Sequence, residues 1–235
     1  MKLSLTWKEE EEGVAVFRQF GKEFCRIFIY ATGEGTAELL LGPSPKLEAL
    51  EEKAVSKLRK CIVLLDTALK KDGFTEYYFV AEERSLAAGI FHVLDLAGEV
   101  ERAYSEFMLK RIPKKEEGLR EQNLSIEQSE QEILCTRADE EGLFSCRIRP
   151  YRDGCYIYGV SVREDMRGKG IGTAAMKELL ARINELPAAA ATGGLYLQVG
   201  SYNEPAMRLY QGLGFKAETE FVYYRRIPGE TREVF

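Results

Sequence analysis

The chain has 235 residues, 45% of them apolar and 30% charged, with a formal net charge of −5. Such a composition supplies enough apolar material for one large or two small folded domains and excludes a largely disordered polypeptide. The acidic balance argues against nucleic acid as the main partner, because basic clusters such as Lys57 to Lys60 are short.

No apolar run approaches the roughly 20 residues a membrane span needs, and the opening "MKLSLTWKEEEE" turns acidic before a signal-peptide core can form. The sequence therefore predicts a cytoplasmic protein with no membrane partner. Alternating or apolar-rich runs predict strands near Val14–Phe20, Phe24–Tyr30 and Thr36–Leu41. A long helix from about Pro45 to Lys70 follows, then a strand at Glu76–Ala81, a short helix at Ser85–Leu94 and a strand at Arg102–Lys110. The charged, apolar-poor segment Pro113 to Gln122 reads as a linker, giving an N-terminal half 1–113, a linker 114–122 and a C-terminal half 123–235.

The second half repeats the plan of the first. A shift of 121 positions lays Leu3 on Leu124, Ser4 on Ser125, Gly21 on Gly142, "CRIFIY" (Cys25 to Tyr30) on "CRIRPY" (Cys146 to Tyr151) and Gly33 on Gly154 without a gap. Both halves close on a basic pair followed by Ile-Pro, Arg111-Ile112-Pro113 and Arg226-Ile227-Pro228. In the second half the strands are predicted near Glu130–Ala138, Phe144–Tyr151 and Cys155–Val162, an antiparallel meander turned by "DEEG" and "RDG". A helix from Ile171 to about Leu186 then carries Ile171, Ala175, Met176, Leu179, Leu180 and Ile183 on one face. A strand at Leu195–Val199, a short helix opening at Asn203 and stopping near Gly212 and Gly214, and a strand at Lys216–Arg226 complete it.

Five cysteines without a CxxC pair fit reduced, buried thiols rather than a disulfide frame or a metal site. His92 is the one histidine, and no nucleophile elbow lies near it.

Between the predicted strand ending at Val162 and the helix starting at Ile171 stands "REDMRGKG". It fails the Walker pattern, lacking the upstream glycine and the hydroxyl after lysine, and it is a poor dinucleotide loop because "REDMRGK" separates the glycines from the strand. What remains is a glycine loop entering a helix. Gly168, Gly170 and Gly172 can bring bare backbone N–H groups together where the helix dipole is positive, which suits a pyrophosphate, and Arg167 and Lys169 add cations.

These residues carry a resemblance. Val160-Ser161-Val162 followed by Arg167, Gly168, Lys169, Gly170, Ile171, Gly172 and Thr173 resembles the acetyl-CoA motif of the GNAT superfamily of acyl-CoA N-acyltransferases, in which Gln or Arg is followed by Gly three residues on and by Gly or Ala at the fifth. The later run Asn203 to Phe215 is similar to that superfamily's second cofactor motif. The resemblance covers roughly Leu134 to Ile227 and implies an α/β (α+β) tandem GNAT-like fold, each half a mixed, mostly antiparallel twisted sheet flanked by helices. It implies acetyl-CoA as co-substrate, no metal, Asn203 as a cofactor contact, Tyr210 as the acid that protonates the leaving thiolate, and the amine of a small molecule or peptide as acceptor. The front of the second half departs from the family by lacking its first strand and helix pair. In the first half the aligned loop reads Lys46 to Glu51, with no glycine and two carboxylates, while Phe91 aligns with Tyr210 and Arg84 with Asn203, so that half is expected to be degenerate and to hold no cofactor. An inactive acyl-CoA-binding regulator or protein-interaction module is the alternative. An internal pseudo-dimer acting as a monomer, or a homodimer, fits the duplication.

Overall fold

The computed structural model describes residues 1–8, 11–43, 52–113, 123–129, 132–137, 142–183 and 193–230, with the backbone alone for 52–54. In chain order the first repeat contains β1 (Lys2–Lys8), β2 (Glu12–Gln19), β3 (Lys22–Gly33), β4 (Thr36–Leu41), α1 (Glu52–Lys71), β5 (Glu76–Glu82), α2 (Leu86–Leu96) and β6 (Glu101–Arg111). The second contains β7 (Leu124–Gln128), β8 (Ile133–Arg137), β9 (Phe144–Tyr151), β10 (Gly154–Val162), α3 (Ile171–Arg182), β11 (Leu195–Gly200), α4 (Glu204–Gly212) and β12 (Lys216–Arg226). The order of strand and helix is the same in both repeats. The expected linker at 114–122 lies outside the described residues, as does the Lys46–Glu51 loop.

The chain folds as two compact units, and their limits cut through β6 and β12. One holds Met1–Ser105 with Glu220–Phe235, the other Glu106–Thr219. In the first unit the strand order is β1-β2-β3-β4-β5-β12, antiparallel except for the parallel pair β4–β5 that α1 connects. In the second it is β6-β11-β10-β9-β8-β7, antiparallel except for the parallel pair β10–β11 that α3 connects. Each repeat therefore gives its last strand to the other repeat's sheet: β6 pairs with β11 from Leu195↔Arg111 to Gly200↔Glu106, and β12 pairs with β5 from Phe221↔Glu82 to Arg226↔Tyr77.

Period-two alternation decides which face of each sheet is buried. Phe17, Ile27, Ile29 and Leu39 point inward from the first sheet and pack with Leu58, Ile62, Leu65 and Leu69 of α1 and with Phe91 of α2. In the second unit Ile148, Ile157, Leu197 and Leu109 pack with Met176, Leu179 and Leu180 of α3. Each fully buried leucine or isoleucine contributes on the order of 2 kcal/mol. All five cysteines are buried and unlinked, and His92 is exposed on α2.

Two strands went unforeseen. β1 and β7 open the repeats, so each meander has four strands where three were expected. Leu3, Leu5 and Trp7 of β1 pack against the core, with the Trp7 indole N–H donating to Asp72 at 2.8 Å and its ring stacking on Phe74 at 5.6 Å. β7 has only Leu124 and Ile126 as apolar residues, too few for alternation to show. It is fixed by α3 instead: the Leu124 N–H donates to the buried Glu178 carboxylate at 2.8 Å, and Arg182 donates to the Leu124 carbonyl at 2.8 Å. The second repeat thus does have a first strand, and residues 129–132 alone separate β7 from β8, leaving no room for a helix pair.

Candidate functional site

The glycine loop has the backbone that its residues require. β10 ends at Val162, a single 3-10 turn spans Glu164–Met166, and α3 begins at Ile171. Gly168 has φ +75° and Gly170, the N-cap of α3, has φ +81°, in the left-handed region that a side chain resists. A Cβ at either position would meet no atom within 4 Å, so both glycines border open space rather than packed protein. Gly172 differs: a Cβ there would lie 3.3 Å from Val162 Cγ2, so its smallness lets the first turn of α3 approach the end of β10. Arg167 Nε donates to the Val162 carbonyl at 3.1 Å and ties the loop to the same strand end. The first turn of α3 carries no acidic residue, leaving its dipole unneutralised.

The neighbouring strands open beside this loop. β10 and β11 pair in parallel at Cys155↔Leu195 and Tyr156↔Tyr196, beyond which their register ends, and a bulge between Tyr158 and Ser161 turns β10 further. The equivalent pair in the first unit runs on from Thr36↔Glu76 to Leu40↔Val80, almost to the end of β4. In the second unit a cavity of about 400 Å³ is lined by Val160, Val162, Met166, Arg167, Gly168, Gly170, Ile171, Gly172, Thr173, Asn203, Pro205, Ala206, Leu209 and Tyr210. Of the residues singled out from sequence, Ser161 and Lys169 are not in that wall; Lys169 Nζ lies 3.3 Å from Met166 Sδ.

α4 supplies the opposite wall. Asn203 is its N-cap, the side-chain oxygen accepting from the Ala206 N–H at 3.3 Å, which leaves the amide NH₂ as a donor for the cavity. Tyr210 is buried at 6% exposure, edge-on to Phe215 at 6.0 Å. Burial, with smaller contributions from Cys146 and Tyr156, pushes its hydroxyl up to about 12, so it holds its proton throughout the neutral range. In the first unit Phe91, aligned with Tyr210, is fully buried and stacks on Phe79 at 4.7 Å. Ser85 caps α2, so the structural counterpart of Asn203 is Ser85 and not Arg84, one residue from the sequence alignment.

A second group of residues escaped sequence reading. On the face of the second sheet opposite α3, Gln198 Nε2 donates to Glu106, and the Tyr158 hydroxyl donates to Glu132. Tyr156 and Tyr158 stack at 6.0 Å, and the Arg149 guanidinium lies 5.3 Å from each ring centre. Tyr151, Tyr156 and Tyr158 lie within strands that the sequence predicts, whereas Glu106 and Gln198 stand 92 residues apart and meet through pairing of the exchanged strand. A larger cavity of about 650 Å³ lies at the far end of α4, lined by Lys110, Arg111, Leu213, Gly214 and Glu218 among others. Lys110 and Glu218 of its lining pair at 3.5 Å, and it contains none of the glycine loop.

Residues 99–215 match the model of the acetyltransferase (GNAT) family. The chain carries a GNAT acetyltransferase domain. That GNAT match includes β6 and stops before β12, following the compact unit Glu106–Thr219 rather than the sequence repeat. Among solved structures, the GNAT chain is similar to a GCN5-related N-acetyltransferase from Sphaerobacter thermophilus, with TM-score 0.64 and 12% identity over 96% of this chain and 83% of that one. A tandem GNAT protein from the clavulanic acid biosynthesis pathway gives TM-score 0.63 and 10% identity over 94% and 84%. A GCN5-related N-acetyltransferase from Kribbella flavida gives 0.54 and 16% over 88% of each chain. At these identities the structures establish the GNAT fold, in tandem form for the second, and the family supports acyl transfer in general. No curated protein matches the sequence. Among the described residues, no helix is long and apolar enough to cross a membrane.

Proposed function

We propose that the chain is an N-acetyltransferase that moves an acetyl group from acetyl-CoA to a primary amine by direct attack. The observation that carries this reading is the parting of β10 from β11 beside the glycine loop, which happens in the second unit and has no counterpart in the paired β4 and β5. Bare amides at the start of α3 and the open space over Gly168 and Gly170 fit a diphosphate, with Arg167 and Lys169 as nearby cations. Val160 and Val162 offer strand amides no longer committed to β11, suited to the amide-bearing arm of the cofactor and to the thioester oxygen, while Ser161 between them pairs with Ser145 of β9. Ile171 and Thr173 belong to the first turn of α3, and Asn203 donates from the facing helix.

Bound acetyl-CoA supplies the activated thioester. The amine nitrogen forms the new C–N bond as the C–S bond breaks; Tyr210 gives its proton to the departing sulfur, and the proton lost by the amine leaves to solvent. Tyr210 suits this role because burial keeps it protonated until the sulfur develops charge. The first repeat, residues 1–113, has no cofactor site of its own in this reading, while the second, 123–235, carries the catalytic one. The test is release of free CoA thiol by the purified chain with acetyl-CoA across a panel of small and peptide amines, where acetyl-CoA binding without thiol release for any amine would refute the enzymatic reading.

A further inference from the structure

We propose that the acceptor is a primary amine that also carries a carboxylate, entering from the helix-free face of the second unit with its carboxylate on Arg149 and its ammonium toward Glu106. This rests on the acyl-transfer reading and names the substrate class of the same site.

The register locates the entry. Tyr156 and Tyr196 are the last paired residues of β10 and β11, so two residues on, Tyr158 and Gln198 face each other across the opening. Ile157 and Leu197, between them, join the core against α3. By alternation Tyr156, Tyr158 and Gln198 therefore lie on the other face, the side from which a second substrate reaches the opening without displacing what fills the helix side.

The two lips of that opening have different chemistry. On one, Arg149 stands beside Tyr156 in the β9–β10 register, its guanidinium placed over two tyrosine rings. The guanidinium overlies both rings, and no described residue forms a hydrogen bond or ion pair with it. A guanidinium whose N–H groups are uncommitted takes a carboxylate through two parallel hydrogen bonds. On the other lip Glu106 is held by Gln198, and it comes from β6, the strand that the first repeat contributes to this sheet. Arg149 reaches the opening from β9, on the β10 side, and Glu106 from β6, on the β11 side. A cation and an anion flanking one opening are complementary to a zwitterion, and an amine without a carboxylate leaves the Arg149 side of that pairing unmet.

The test is the initial rate of CoA release by the full chain, with amino acids and short peptides each matched to its carboxamide, its decarboxylated amine and, where one exists, a phosphate-bearing amine. A preference in kcat/KM of at least tenfold for the carboxylate-bearing member is expected. Arg149→Met should raise KM for that member about tenfold with kcat little changed, bringing the ratio toward one, and Arg149→Lys should recover part of it. Equal use of matched pairs by the parent, a ratio unmoved in Arg149→Met, transfer to phosphate-bearing amines alone, or acetyl-CoA binding with no transfer to any carboxylate-bearing amine would each overturn the proposal. Calorimetry with acetyl-CoA on the same preparation separates the two levels: loss of cofactor binding sinks the acyl-transfer reading, whereas binding and transfer without carboxylate preference sinks this inference alone.

Discussion

The exchanged strand β12 is held in the first unit by a buried ion pair, and breaking it should destabilise that unit sharply. Arg226 Nη2 lies 2.7 Å from Asp66 Oδ2, with side chains 6% and 8% exposed. The same carboxylate accepts from the Tyr77 hydroxyl at 2.7 Å and from the Gly229 N–H at 3.5 Å, and Arg226 also donates to the Glu99 carbonyl. Asp66→Ala leaves a buried guanidinium with the Glu99 carboxylate at 3.8 Å as its remaining counter-ion and a buried phenol without its acceptor, a loss of about 3 to 5 kcal/mol for a broken buried pair. At roughly 2 to 4 °C per kcal/mol for a cooperative transition of a chain of this size, the melting temperature should fall by about 6 to 20 °C. Replacing both partners, as in Asp66→Leu with Arg226→Met, removes the stranded charge and should cost less than either single change. Differential scanning calorimetry of the four proteins reads this directly. Additive losses in the double variant, or a single-variant cost below about 1 kcal/mol, would show that the pair does not hold the strand.

Other expectations concern the cavity. Tyr210→Phe should lower kcat about a hundredfold while leaving the acetyl-CoA dissociation constant within about twofold, since it removes a proton donor and keeps the ring; an unchanged kcat would end the acid role. Because burial raises Tyr210 to about 12, loss of its proton can produce no alkaline fall in kcat below about pH 11, and a limb near pH 10 that disappears in Tyr210→Phe would contradict the assigned environment. Gly172→Val should cost about 1 to 3 kcal/mol and weaken acetyl-CoA binding, because the first added carbon already meets Val162 at 3.3 Å; denaturant titration and calorimetry check both.

The cavity was readable from the chain largely because its parts are local. Three glycines at alternate positions around the start of an apolar-periodic helix specify a backbone, and Asn203 followed by Glu-Pro specifies a helix start, so each wall follows from a few neighbouring residues. The duplication was visible for the same reason, as repeated spacing. The strand exchange was not, since the runs at 101–111 and 216–226 read as strands wherever they pair, and pairing is decided by tertiary packing. The repeated basic pair gains its meaning only from that exchange: its second arginine, Arg111 or Arg226, is buried in each unit. Glu106 and Gln198 carry no local signal of their meeting for a similar reason, and β7 escaped because two apolar residues cannot establish a period.

The most direct measurement is calorimetric titration of acetyl-CoA into the parent chain and into Gly170→Asp, whose side chain would stand over the open φ +81° position and add a negative charge there. The parent should bind one acetyl-CoA per chain, and Gly170→Asp should lose at least a hundredfold in affinity while its circular dichroism stays that of the parent. Equal affinity in the two proteins, or two acetyl-CoA molecules per parent chain, would contradict a single diphosphate cradle at the start of α3.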